Sequence, residues 1–373
     1  MTNSSDWRSS LTATERYENI TKMGQALAQS QAQHTAFSRE QEAYERSNSR
    51  EEYVAACTMS AATEESTGAS SQGSPNPQNH DEPGIRIGEY QNCHYIASGA
   101  TSEVYRVKDK ALKVITGTHN MEPHNPHREA KILALLKKPC IPLLETFRDH
   151  EQRFVLVFPY MPFTLDSLLE QGRPSDNQIS TIFKDILSAL ASIHDQGIIH
   201  RDIKPSAVLL ASPTGPAYLS DFGTAWHPDL SASSEPADNK ILDIGTGPYR
   251  APEVLFGNKA YDTGVDMWGA GTTLAECCRN PPKPLFESRA VHEDGNQLGL
   301  ILSIFRTLGS PTRESWPEAA SFRTPPFDMY RSFPTRSWEQ ILPDVEPHWR
   351  DMVAAMVRYD SGRATARAIL SRL

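Results

Sequence analysis

At 373 residues and 38% hydrophobic, the chain is long enough for one large or two ordinary domains and can bury a core. Its net charge of -9 makes nucleic acid and anionic membranes poor default partners. No apolar run approaches the roughly 18 residues of a membrane-spanning helix, and Met1-Thr2-Asn3-Ser4-Ser5 lacks the basic and apolar regions of a signal peptide. The acidity is uneven: residues 1–84 carry six Lys/Arg against twelve Asp/Glu, a net of -6. The five cysteines (Cys57, Cys93, Cys140, Cys277, Cys278) form no CxxC pair, which points to a reduced setting, cytoplasmic or nuclear.

In chain order, residues 10–52 are predicted to be helical. Thr12-Ala13-Thr14-Glu15 forms a capping box, and Tyr17, Ile20, Met23 and Leu27 recur at three- and four-residue steps. This N-terminal extension spans residues 1–57 and is either a docking helix or a mobile tail. Residues 58–84, rich in Ser, Gly, Pro, Asn, Glu and Thr, read as a disordered linker. Residues 90–115 then alternate as strands do, through Tyr95-Ile96, Val104–Val107 and Ala111–Ile115. A helix is predicted over 127–137 and a buried strand over Phe154–Phe158. Helical periods follow at 176–196, 263–278 and 295–308. No internal repeat is visible.

Two short strings carry the chemistry. His200-Arg201-Asp202-Ile203-Lys204-Pro205 is followed nineteen residues after Asp202 by Asp221-Phe222-Gly223. One acid can meet a hydroxyl nucleophile and a second can hold a metal, the pair that phosphoryl transfer requires. Upstream, Gly99 lies in Ala97-Ser98-Gly99-Ala100-Thr101-Ser102-Glu103-Val104, nine residues ahead of Ala111-Leu112-Lys113 when counted from Ser102. A glycine in such a turn lets backbone N–H groups approach phosphates.

Together these strings resemble the catalytic core of a eukaryotic protein kinase over about residues 88–373. The resemblance implies an α+β, two-lobed kinase fold in residues 85–373. A small β-rich N-lobe (85–158), a hinge (159–161) and a larger helical C-lobe (162–373) are expected. It implies ATP and Mg2+ as cofactors and a protein substrate. Lys113 would contact the α- and β-phosphates and Glu129 would hold Lys113. Asp202 would orient the substrate hydroxyl, Lys204 would steady the transferred phosphate, and Asp221 would bind the metal. Ile96, Val104, Ala111 and Leu209 would enclose adenine, beside Phe158 and the hinge residue Met161, with Gly99 over the phosphates. Thr246 would contact Asp202 and Lys204, Glu253 would pair with Arg363, and Asp266 would tie the catalytic loop to a central helix.

The sequence also departs from the pattern. The second metal-binding Asn of the family is Ala207, and a methyl cannot ligate a metal. Two alternatives stay open: an active Ser/Thr kinase relying on Asp221, and a pseudokinase scaffold. The first is favoured, because a scaffold has no chemical need for Lys113, Glu129, Asp202, Lys204 and Asp221 together. The activating threonine expected five residues before Thr246 is Ile241, so Glu235, Asp238 or Asp243 is expected to give Arg201 a built-in anion.

Tyr249–Gly257 and the stretch from Asn296 to Pro317 resemble the cyclin-dependent kinase branch. The thinned glycine loop, missing threonine and missing cyclin-binding signature narrow this to a resemblance to fungal single-subunit kinases that activate cyclin-dependent kinases. That implies a monomer with another kinase as substrate and no cyclin requirement. An ordinary cyclin-dependent or proline-directed kinase is the alternative.

Overall fold

The computed structural model describes residues 47, 49–62, 84–99, 101–117, 122–288, 297–327 and 332–373. The chain divides into two compact units, Met1–Asp81 and Glu82–Leu373. In the first, a helix spans Arg50–Ala62. Ser49 starts it: its hydroxyl accepts the Glu52 N–H at 3.2 Å. This helix corrects the expected boundary, because residues 58–62 were assigned to the linker. Ala55, Ala56, Ala61 and Ala62 favour helix strongly enough to carry it into the stretch that composition assigned to the linker. The stripe Tyr17, Ile20, Met23 and Leu27 lies outside the described residues.

The second unit opens with a six-stranded antiparallel sheet in the order β1-β2-β3-β4-β6-β5. Its strands are β1 (Ile85–Ile87), β2 (Tyr90–Ser98), β3 (Ser102–Val107), β4 (Lys110–Ile115), β5 (Glu145–Arg148) and β6 (Phe154–Pro159). The alternation of β4 decides what the sheet can do. Leu112 and Val114 are fully buried and pack with Ile87, Cys93, Val107, Val155 and Val157. Ala111 and Lys113 therefore point to the opposite face. In register, Lys113 lies between Val104 and Leu156, and Ala111 pairs with Phe158. The β2–β3 ladder shifts between Tyr95 and Ala97, so Ile96 sits in a bulge.

The helix Pro126–Leu135 packs beside this sheet; Asn125 caps it by accepting the Arg128 N–H at 3.0 Å. It ends two residues before the predicted limit. The remainder is mainly helical. Asp176–His194 begins with the capping box Ser175/Gln178 and buries Ile179, Ile182, Phe183, Ile186, Leu190 and Ile193 along one face. Gly264–Cys278 is buried on every side and forms the central post of the lobe. It approaches the catalytic loop closely because residue 269 is glycine: a Cβ there would lie 2.8 Å from the Ile203 carbonyl oxygen. A small sheet, β7 (Phe163–Thr164), β8 (Val208–Leu210) and β9 (Ala217–Leu219), supports the catalytic strings from below. Leu298–Leu308 corresponds to the helix predicted over 295–308. All five cysteines are buried.

Candidate active site

Asp266, fully buried on the central helix, accepts the backbone N–H groups of His200 and Arg201, each at 2.8 Å. His194 also holds it, its Nε2 donating to Oδ2 at 2.9 Å. Burial alone would raise the Asp266 carboxyl; the hydrogen bond from His194 and the neighbouring imidazoles hold it below its ordinary value. This anchoring fixes Arg201 at φ 74°, a left-handed conformation costing a non-glycine residue about 1–2 kcal/mol. The bend turns Asp202 out toward the cleft. There Lys204 Nζ lies 2.6 Å from Asp202 Oδ2 and 2.9 Å from Thr246 Oγ1, and Thr246 donates to Asp202 Oδ1 at 2.7 Å. Three side chains from two loops thus converge where an acceptor hydroxyl and a phosphoryl group would meet.

A second cluster lies across the cleft. Lys113 Nζ contacts Glu129 Oε1 and Oε2 at 2.8 and 3.0 Å and Asp221 Oδ1 at 3.3 Å. Glu129 is 2% exposed, whereas the Asp221 side chain is half exposed and faces the open cleft. Burial would lower the Lys113 ammonium, but the two carboxylates more than offset it and hold the group above its ordinary value. The Lys113 charge is in turn the main reason that Asp221 is lowered to about 2. Burial pushes Glu129 upward, opposed by Lys113. Asp221 itself is left-handed at φ 61°, and Phe222 is buried edge-on against the His200 ring at 4.7 Å. His200 Nε2 donates to the Ser220 carbonyl at 2.8 Å, so the two strings brace each other.

Apolar residues share the Lys113 face of the sheet. Ala111 and Phe158 face each other in register, and Phe158, Met161 and Leu209 border the main core from the cleft side. Val104 lies beside Lys113, while Ile96 is exposed on its bulge. The Tyr160 N–H is taken by the Asp109 carbonyl at 2.7 Å, which fixes the hinge. Gly99 is not left-handed, and a Cβ there would meet nothing closer than 3.8 Å. A side chain there would make ordinary contact with Ser102, so the position imposes neither a clash nor an unusual backbone angle.

Residues 90–372 match the model of the protein kinase domain. The chain belongs to the protein kinase family. It is 34% identical over 296 residues to the serine/threonine-protein kinase csk1 of Schizosaccharomyces pombe, covering 75% of this chain and 92% of that protein. It is 29% identical over 279 residues to the serine/threonine-protein kinase CAK1 of Saccharomyces cerevisiae, covering 61% and 76%. Among solved structures, the yeast RNA polymerase II CTD kinase CTDK-1 complex superposes with a TM-score of 0.63 at 26% identity, covering 74% of this chain and 90% of that one. The CAK complex of Chaetomium thermophilum bound to ATP-gamma-S gives 0.62 at 27%, covering 74% and 88%. The chain is a serine/threonine protein kinase of two-lobed fold, and the kinase fold uses ATP with a divalent metal.

The kinase's own donors fit one metal ion better than two. Asp221 is anionic, half exposed and beside Lys113, as a ligand shared with nucleotide phosphates requires. Among the described residues no group of three His, Cys, Asp or Glu is placed to hold a metal without those phosphates. The position of the family's second donor is Ala207, 1% exposed, and the adjacent Ser206 side chain is exposed on a short 3-10 turn.

Beyond the cleft the kinase is closed by ion pairs. Glu253 meets Arg363 in a two-pronged contact of 2.5 and 2.8 Å. Arg201 finds its anion in Glu235, with contacts of 2.6 and 3.0 Å between side chains that are both fully buried. The other two candidates are corrected: Asp238 is exposed, and Asp243 pairs with Arg250 at 2.9 Å. Arg128 and Tyr261, which also touch this network, were not anticipated. Arg128 is one of three charges on its helix besides His127, and the fold buries Arg128 and Glu129 while leaving Lys131 exposed.

Glu235, Asp266 and Asp221 all sit below their ordinary values. The unfolded chain therefore takes up protons on these groups first as pH falls, so their stabilisation is present near neutrality and lost in acid. The urea midpoint should stay level from about pH 7 to about pH 5 and drop steeply below about pH 4. A midpoint that instead rises on acidification would contradict these assignments.

Proposed function

We propose that this kinase transfers the γ-phosphate of magnesium-bound ATP to a threonine in the activation segment of a cyclin-dependent kinase, working as a monomer without a cyclin. Its place of action on this reading is the cytoplasm, the nucleus or both. The observation that carries the enzymatic reading is the joined set of Asp202, Lys204 and Thr246 on one side and Lys113, Glu129 and Asp221 on the other. The fungal relatives csk1 and CAK1 support the choice of substrate.

The roles follow from the geometry. Asp202 receives or orients the attacking hydroxyl, and Lys204 neutralises the phosphoryl oxygens as the bond to the leaving oxygen lengthens. Lys113, held by Glu129, positions the α- and β-phosphates. Asp221 would hold the ion that neutralises the β- and γ-phosphates. The reaction is mainly positioning and charge neutralisation, so a missing second metal donor lowers efficiency without removing the chemistry. This argument favours an active enzyme over a scaffold.

A second reading, a proline-directed kinase, is favoured by one detail. Gly245 is left-handed at φ +75°, and Arg250 Nε donates to the carbonyls of Ile244 and Gly245 at 2.7 and 3.3 Å. Carbonyls so occupied are poor acceptors for the N–H that follows a target residue, and proline has none to lose.

Labelled-phosphate transfer by the purified chain decides between these readings, with Asp202→Asn as control. Transfer to an unphosphorylated cyclin-dependent kinase that vanishes in the control supports the proposal. Preference for peptides with proline after the target residue supports the second reading. No transfer with magnesium or manganese from folded protein would establish the scaffold. If Asp221 acts alone, Ala207→Asn should lower the magnesium needed for half-maximal rate by about tenfold, equivalent to ~1.4 kcal/mol of binding. An unchanged magnesium curve would mean that another group already supplies the second donor.

A further inference from the structure

The buried anion of the activation segment reaches further than Arg201. Glu235 Oε1 also lies 3.7 Å from Arg128, which is 4% exposed and immediately precedes Glu129 on the Pro126–Leu135 helix. The carboxylate is otherwise fully engaged. Its Oε2 accepts the Ile241 N–H at 3.0 Å, and the Glu235 carbonyl accepts Trp226 Nε1 at 2.9 Å. Tyr261 completes the cluster: its hydroxyl accepts from Arg201 at 3.1 Å and donates to the Ile241 carbonyl at 2.7 Å. One carboxylate therefore joins the catalytic loop, the activation segment and the helix that carries Glu129.

We propose that Glu235 is a positioning residue that sets the Lys113–Glu129 pair through Arg128, so that nucleotide binding depends on a carboxylate in the activation segment. Two guanidinium groups withdrawn from water require an anion. Without it, Arg128 keeps Glu122, at 2.9 Å, as its one carboxylate among the described residues, and the Pro123 carbonyl, at 2.6 Å, both on residues that precede the helix. The helix is also tied to the Asp221 string, since the Asn125 N–H donates to the Gly223 carbonyl at 3.2 Å. A shift of its first turn thus moves Glu129 relative to both Lys113 and Asp221. The position where a threonine was expected is occupied by Ile241, whose own N–H closes onto Glu235, so the segment is held from within.

The rate arm of the test rests on the kinase reading; the binding arm does not. Affinity for a fluorescent ATP analogue, melting temperature and phosphotransfer rate are measured on the full chain. The variants are Glu235→Gln, Arg128→Met, their double variant, Glu122→Gln and Asp238→Asn. Glu235→Gln and Arg128→Met should each weaken nucleotide binding by about tenfold at temperatures where both remain folded. The double variant should weaken it no further, and Glu122→Gln and Asp238→Asn should stay within about twofold. Additive losses, wild-type affinity in folded Arg128→Met, or a loss in Glu122→Gln equal to that in Arg128→Met would overturn the proposal. If Glu235→Gln does not fold, Arg128→Met against Glu122→Gln decides alone. Wild-type binding without any phosphotransfer would remove the kinase reading while leaving the coupling tested.

Discussion

Asp221→Asn should lower the phosphotransfer rate by about a thousandfold and leave the fold intact. Its carboxylate is half exposed, so the substitution removes no buried packing. What it removes is the anion facing the phosphates. In a kinase with a second donor on the catalytic loop, part of the metal binding would survive. Here that donor is Ala207, buried and without a polar atom. The amide of Asn keeps one oxygen ligand but no charge, and Lys113 loses one of its two carboxylate partners. The loss should appear in kcat at saturating ATP, and high magnesium should recover only a small part of it. A variant within tenfold of wild type would show that the metal is held elsewhere and that Asp221 serves mainly to orient Lys113.

Most of the active site was legible because its residues lie in short strings whose order reflects chemistry. The pairs Lys113 with Glu129 and Asp202 with Thr246 follow once the strings are recognised. The activation segment was less legible. Three acidic residues were available to Arg201, and their spacing could not rank them. Burial did: Glu235 has no exposed surface, while Asp243 is 87% exposed and pairs with Arg250. The register of a loop without periodicity is set by what it packs against, here Trp226, Tyr261 and the Ile241 N–H. The helix Arg50–Ala62 was misplaced for a different reason. Its alanines signal helix by propensity, whereas the expected boundary followed the Ser-, Gly- and Pro-rich composition of residues 58–84 taken as one stretch.

Arg363→Met should destabilise the kinase domain by about 3–5 kcal/mol, read from urea melts near neutral pH. The preceding run Tyr359-Asp360-Ser361-Gly362 is a residue shorter than the family pattern, yet the guanidinium still reaches Glu253 with both nitrogens. It also donates to the carbonyls of Gly264 at 2.9 Å and Arg358 at 2.7 Å, and its plane lies 5.0 Å over the Trp268 ring. Methionine can replace the packing on Trp268 but none of these bonds. Glu253 would remain largely buried with an unpaired charge, and that is the dominant cost. The double variant with Glu253→Gln should therefore be less destabilised than the sum of the single variants, because the orphaned charge disappears with its partner. For a domain with a total stability of about 5–15 kcal/mol, the single change removes roughly a fifth or more. It should also reach the chemistry. Glu253 lies seven residues after Thr246 on the same segment. Loosening that end frees the hydroxyl that fixes Asp202 and Lys204 at 2.7 and 2.9 Å. The folded fraction of Arg363→Met should then show a lower kcat with little change in nucleotide affinity, since the Lys113 side of the cleft keeps its own ion pair.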